Sequence, residues 1–310
     1  MDVLCVGLMV CDIIIQPVDK DVFEVDSTRI DTLKITSGGD SLNAAINMEK
    51  LGITAGLIGK VGNDVFGEYL IHEAQKYDVI TSGIIKSDEY STSTSIVLVD
   101  KSGERHFAYY GKANDSLCVK DVDIKLLNEA NMVHVGSAMA LNNLDGSGIT
   151  ELFKMAKSLG KLTSMDVTWD SSDKWLEKIE DALHYTDIFM PSYDEAKKIT
   201  GLDKPEDMKE FFRNYGLKIL AVKLGSAGCY ITDFSDEYRI KPFKNIRVID
   251  TTGAGDAFVA GFLTGFIKGF SLYDSGVLGN AVASQCVMKL GATNWKMTLN
   301  EVMLFISDNK

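Results

Sequence analysis

The pattern that most limits what this chain can become begins at residue 131, where short apolar runs and helix-patterned segments take turns. Met132–Val135, Leu162–Asp166, Ile188–Met190 and Ile219–Leu224 read as strands, and the segments near 148–159, 174–183, 193–200 and 205–215 read as helices. Parallel strands need a crossover, usually a helix, to bring the chain back to the same end of the sheet. The alternation therefore predicts an α/β fold, a doubly wound, mainly parallel sheet flanked by helices, with ligands beyond the strands' C-terminal ends. A short antiparallel pair, Gly228–Thr232 and Glu237–Lys241, follows, and helices at 255–269, 271–290 and 298–307 finish the chain.

The N-terminal part joins the same sheet. Val3–Leu8 is a buried-strand pattern, Ser41–Leu51 a helix closed by Gly52, Ala55–Ile58 a strand and Val65–Tyr77 a helix. Residues 88–112 differ. Ser95–Val99 and Arg105–Tyr110 flank the turn Asp100-Lys101-Ser102-Gly103, a hairpin signal that does not belong inside a parallel sheet. Together with about 13–36, this region is expected to form a small β-sheet lid on a single domain spanning 1–310.

Composition removes several function classes. A net charge of -12 leaves no basic face for nucleic acid. No stretch of about 18 uninterrupted apolar residues exists, so nothing is expected to span a membrane. The apolar start carries Asp2 and Asp12 and no basic segment, and reads as a strand, not a signal peptide. Five cysteines without a CxxC read as reduced thiols of a cytoplasmic protein. Histidines 72, 106, 134 and 184 lack metal spacing, and Gly59-Lys60 lacks the glycine spacing and the Ser/Thr of a P-loop.

The chemistry concentrates at Asp250-Thr251-Thr252-Gly253-Ala254-Gly255-Asp256. A strand-like run, Ile246–Ile249, reaches a Gly-Ala-Gly turn, and an apolar helix starts at once. Small residues admit a ligand close to the backbone, and the unpaired N–H groups of a first helical turn make an anion site. A carboxylate at 256 would repel a merely bound phosphate, but suits phosphoryl transfer to an alcohol, where it accepts the hydroxyl proton. The helix N-terminus is expected to keep Asp256 ionised near neutral pH. Read alone, the acid fits helix capping equally well.

This segment resembles the C-terminal signature of the ribokinase-like, or PfkB, carbohydrate kinase family. Gly38-Gly39 with Asn43 and Ala44, then Gly52, Gly59 and Gly62, is similar to the family's N-terminal signature, so the resemblance covers essentially the whole chain. It implies Asp256 as base, Gly253, Ala254 and Gly255 as anion hole, and Asp12, Gly38, Gly39, Asp40 and Asn43 as sugar-binding residues. Lys223, Gly225 and Gly228 match the nucleotide loop, with Asn280, Ala283 and Ser284 on the helix that walls the adenine. The family's Asn-x-x-Glu appears here as Ser192-Tyr193-Asp194-Glu195, which keeps the acid expected to organise Mg²⁺ through water. A potassium site near Asp250, Thr252 and Gly291 is a further implication, as is a homodimer formed through the lid sheet.

The expected activity is thus ATP-dependent phosphorylation of a hydroxymethyl group on a monosaccharide or related polyol. Phe107, Tyr109 and Tyr110 in the lid keep open a nucleoside kinase of the same fold. A phosphosugar kinase is disfavoured, since Arg105 and Lys112 are the exceptions in substrate loops poor in basic residues. A catalytically silent sugar-binding regulator is the reading from another class, and retention of Asp256 and the glycine turn counts against it.

Overall fold

The computed structural model describes residues 1–309. Its strands are β1 (Val3–Gly7), β2 (Val10–Gln16), β3 (Thr32–Gly38), β4 (Ala55–Gly62), β5 (Ile80–Ser87), β6 (Thr94–Val99), β7 (Arg105–Tyr110), β8 (Met132–Ala138), β9 (Leu162–Val167), β10 (Ile188–Phe189), β11 (Ile219–Lys223), β12 (Cys229–Thr232) and β13 (Glu237–Ile240). Nine form one sheet in the order β13-β12-β11-β10-β9-β8-β1-β4-β5, parallel except for the antiparallel pairs that add β12 and β13 at one edge. The other four form a separate sheet, β3-β2-β6-β7. The doubly wound fold anticipated from the alternation is present.

Helices cover both faces because the central strands are apolar on both sides. One core packs Leu152, Phe153, Phe189 and Phe212 beneath helices Ser147–Ser158 and Pro205–Arg213. The opposite core packs Leu42, Ile46, Phe258 and Phe262 from helices Asp40–Lys50 and Ala254–Ile267.

Strand order reverses at β1, which is flanked by β4 and β8, the place where a sheet of this kind leaves a crevice beyond its strand ends. Gly7 lies opposite Gly136 in the register, and a Cβ on Gly7 would come within 2.4 Å of Gly136 O. That bare backbone admits Ser41, whose hydroxyl donates to Val6 O at 2.9 Å. The N-terminus of Asp40–Lys50 is thereby pinned over the crevice.

Three local readings differ from the sequence. Ile246–Ile249 is not a strand: Val248 and Ile249 are exposed, and β13 already ends the sheet. The segment 174–183 splits into a 3-10 turn, Trp175–Lys178, and a single helical turn, Glu180–Leu183, because Asp170 accepts the Lys174 and Trp175 N–H groups and tightens the chain. Strand β5 was missed, since it does not alternate between apolar and polar residues, and β3 was anticipated only as part of the small-sheet region 13–36, not as a strand.

Candidate active site

Two helices bring their N-termini to the crevice side by side, Asp40–Lys50 and Ala254–Ile267. Asn43 Nδ2 donates to Asp256 Oδ2 at 2.7 Å, joining residues 213 positions apart. Both side chains are buried, with Asp256 only 8% exposed. Asn43 thus orients the carboxylate, a contact the expected sugar-binding role did not include. The helix N-terminus was expected to keep Asp256 ionised, and the structure reverses that expectation. Burial pushes its carboxyl well above the ordinary range, and the Asp40 carboxylate pushes it further.

Gly253 adopts a left-handed conformation, φ 73°, as the residue that caps the helix. A Cβ there would lie 2.1 Å from Ala292 Cβ, so both the conformation and the space demand glycine. Ala254 N–H turns back to Thr251 O at 3.2 Å, whereas the N–H groups of Gly253 and Gly255 have no partner among the described residues. Of the three expected anion-hole positions, the two glycines are therefore the open donors.

Opposite this turn stand Asp12, Gly38, Gly39 and Asp40. Asp12 lies on β2 of the small sheet, in one cross-strand row with Thr36, Ser95 and Tyr109. A Cβ on Gly38 would meet Asp12 Oδ2 at 2.2 Å, so glycine lets the carboxylate lie against the backbone. Gly39, at φ 94°, passes so close to Leu8 O that a Cβ would sit 2.5 Å away. Burial, then the Asp40 and Asp250 carboxylates, push the Asp12 carboxyl up to about 7. Asp40 is raised too, mainly by burial.

The third wall lies at the ends of β9 and β11. Lys223 Nζ reaches Asp166 Oδ2 at 2.5 Å, and both side chains are largely buried. Beyond Lys223 the loop turns through Gly225–Ala227 and Gly228, whose φ of 92° and 2.0 Å clearance to Ile240 O exclude a side chain. Glu195 Oε2 accepts the Ser192 N–H at 2.7 Å, and Ser192 Oγ accepts the Glu195 N–H at 3.3 Å. Ser192 is thereby committed to capping its helix, so the acid is held in place without the family's asparagine. Ser192 also bridges to Lys223, which sets Glu195 beside the lysine.

Two expected roles do not fit the geometry. Asn280 is buried, and its amide donates to Ile240 O and Lys241 O at 3.3 Å each. It ties the helix Leu272–Val287 to the end of β13 and offers no amide to an adenine, while Ala283 and Ser284 remain partly open on that helix. Asp250, expected to hold potassium, accepts the Thr252 and Gly291 N–H groups at 2.9 Å each and pairs with Arg105 at 3.0 Å. Those donors hold its carboxyl below the ordinary range despite burial. The set does not fit a monovalent cation, since the positive charge already present is the guanidinium, which also donates to Thr252 Oγ1.

Sequence reasoning missed Asp166, whose only signal was an acid at the C-terminal end of a central strand. It also missed the link from Arg105 on β7 to the 250–252 turn. His134, set aside as a metal ligand, is a core residue. Burial lowers it to about 3, and its Nδ1 lies 2.9 Å from Ser164 Oγ.

The arrangement is a glycine turn and a buried carboxyl faced by the carboxylates of Asp12 and Asp40. The family model for pfkB family carbohydrate kinases matches residues 1–298. The chain belongs to the PfkB family of carbohydrate kinases. As a member it is a phosphotransferase, and the resemblance carried by Gly38–Asn43 and Asp250–Asp256 is borne out. An uncharacterized sugar kinase of Archaeoglobus fulgidus is 33% identical over 80% of this chain and 96% of its own. An ATP-dependent 6-phosphofructokinase of Thermoanaerobacterium thermosaccharolyticum is 32% identical over 94% of this chain and 89% of its own. In structure, a putative ribokinase II from E. coli in complex with ATP and Mg²⁺ superimposes with a TM-score of 0.84. The two are 22% identical, and the match covers 99% of each chain. This PfkB chain thus shares the ribokinase fold.

Proposed function

We propose that this PfkB kinase transfers the γ-phosphoryl group of ATP to a hydroxymethyl group of an uncharged monosaccharide or related polyol. The observation that carries the reading is the pair formed by Asp256 and Asn43 beside the Gly253–Gly255 turn, faced by Asp12 and Asp40. Asn43 holds Oδ2 of Asp256, leaving Oδ1 to accept the proton of the acceptor hydroxyl. In its ionised form, a carboxylate with a raised pKa is the stronger proton acceptor when a substrate hydroxyl reaches it. The acceptor oxygen bonds to the γ-phosphorus as the bond to the β–γ bridging oxygen breaks and ADP leaves. The N–H groups of Gly253 and Gly255 face the charge on the transferring group.

Asp166 and Glu195 fit Mg²⁺, which favours one or two carboxylates together with substrate phosphates over an all-protein cage. When bound, the ion supplies neutralisation of phosphate charge. Potassium has no part in the reading, because Arg105 balances Asp250. Lys223, Gly225 and Gly228 line the phosphate loop, and Ala283 and Ser284 flank the adenine.

The carboxylates also select the substrate. A phosphate or carboxylate on the sugar would face Asp12 and Asp40, and the nearby Arg105 is already paired. The small sheet acts as a lid that excludes water from the reaction. Its other face carries Leu33, Ile35 and Ile96, all exposed, which supports a homodimer formed by two such sheets. Phe107 and Tyr109 share the face of β7 that bears Arg105, so a nucleoside is the second acceptor to test.

The test is ADP release across neutral sugars, 6-phosphosugars, sugar acids and nucleosides. A neutral monosaccharide is expected to exceed the charged sugars by at least about 10²-fold in kcat/KM. A phosphosugar or nucleoside at the top of the panel would replace the proposed acceptor, and no turnover with any would favour a silent binding protein.

Asp12 supplies a pH test. Ionised, it accepts two hydroxyl hydrogen bonds, and protonation removes part of that capacity. Because its carboxyl is raised to about 7, kcat/KM for the sugar is expected to climb as pH rises through that value. Asp12→Ala should raise the sugar KM by about 10–100-fold while leaving the ATP KM nearly unchanged. Equal losses for both substrates would assign Asp12 to the fold instead.

A further inference from the structure

The Lys223 ammonium touches both halves of the phosphate site at once. Its Nζ lies 2.5 Å from Asp166 Oδ2, and a Cβ added to Gly255 would sit 3.4 Å from the same nitrogen. The side chain is 12% exposed and that of Asp166 4%, so the pair is shielded from water and from salt. The charges of Glu195, Asp256 and Asp40 also act on it. The ammonium is therefore held directly by one carboxylate, Asp166, within the field of three others, while the guanidinium of the neighbouring wall is held by Asp250.

Without the ammonium, Asp166 with Glu195 beside it would leave a net negative pair of the kind a divalent ion takes, one or two carboxylates at a time. We propose that Lys223 is an internal counter-ion that occupies this place in the free enzyme and keeps it closed to free metal. On arrival of the metal–nucleotide, the ammonium leaves Asp166 for the transferring phosphoryl over Gly255, a displacement within the reach of its terminal rotamers. Asp166, freed of the lysine, would then be open to hold the metal. The phosphoryl half of this inference rests on the kinase reading given above, and the metal half does not.

The experiment is Mn²⁺ binding by electron paramagnetic resonance, without nucleotide or sugar, on the wild type, Lys223→Met and Lys223→Arg. Lys223→Met is expected to bind Mn²⁺ at least about tenfold more tightly than the wild type, because an ammonium at Asp166 no longer repels the ion. Lys223→Arg, which keeps the charge, should match the wild type. Adding Asp166→Asn to Lys223→Met should abolish the gain. Unchanged or weaker Mn²⁺ binding in a folded Lys223→Met protein overturns the proposal, as does a gain that survives Asp166→Asn. Lys223→Gln carries the same expectations should the methionine variant fail to fold. In turnover with Mg²⁺ and ATP, Lys223→Met should lower kcat about 10–100-fold with the sugar KM within about threefold. An unchanged kcat removes the phosphoryl half and leaves the Mn²⁺ result standing, whichever sugar the enzyme takes.

Discussion

Asp256→Asn is expected to lower kcat by roughly 10²–10⁴ while nucleotide affinity stays nearly unchanged. The amide matches the carboxylate in shape, keeps a carbonyl oxygen for Asn43 Nδ2, and leaves the Gly253–Gly255 turn intact. What it loses is the ability to take a proton. Stability separates this outcome from damage to the fold. Asp256 is buried beside Asp40 and Asp166, which disfavours its ionised form, so a neutral amide should leave the unfolding temperature unchanged or raised. Steady-state kinetics with a thermal melt decide the matter. Near-normal kcat would remove Asp256 as the base, and a lowered melting temperature with parallel losses in kcat and ATP binding would make its role structural.

Gly253→Ala should be comparably damaging for a different reason. The residue sits at φ 73°, where a side chain is strained, and a Cβ would lie 2.1 Å from Ala292 Cβ and 2.6 Å from Ala292 Cα. The strain and the overpacking together should cost about 2–4 kcal/mol. The turn can relieve the contact only by moving away from the 291–293 segment, which re-aims its N–H groups, and loss of oxyanion donors costs about 10²–10³ in kcat. Gly160→Ala, away from the site, is the matched control: φ is 70°, nothing lies within 4 Å of the added carbon, and about 1 kcal/mol of conformational cost is all that is expected. Similar behaviour of the two variants would show that the Ala292 contact is not what holds the turn.

Much of the fold was legible because its signals are local. The strand–helix alternation from 131, the Asp100–Gly103 hairpin and the cap at Gly52 each depend on residues within a few positions of one another. Ile246–Ile249 misled because a short apolar run reads alike whether or not it pairs, and here Val248 and Ile249 lie exposed outside both sheets. The segment 174–183 misled because the acid that tightens it, Asp170, stands before the helical pattern begins.

The site divides along the same line. The Gly253–Gly255 turn and the acid at 256 could be read from the chain's own chemistry, whereas Asp12, Gly38 and Gly39 were named through the family resemblance. The glycines at 38, 39 and 253 prove to be required by Asp12, Leu8 and Ala292. What each group does was decided by partners far away in sequence. Asn43 lies 213 residues from the carboxylate it orients. Arg105 crosses from the small sheet to neutralise Asp250 where a metal ion was anticipated. The raised carboxyl of Asp256, opposite in sense to what a helix N-terminus suggests, follows from burial and from Asp40 and Asp166, carried by other elements. Charge and desolvation act through space over a few ångströms. The sequence by itself therefore determined which chemical groups this kinase brings to its crevice, and only the tertiary structure decided their protonation and their partners.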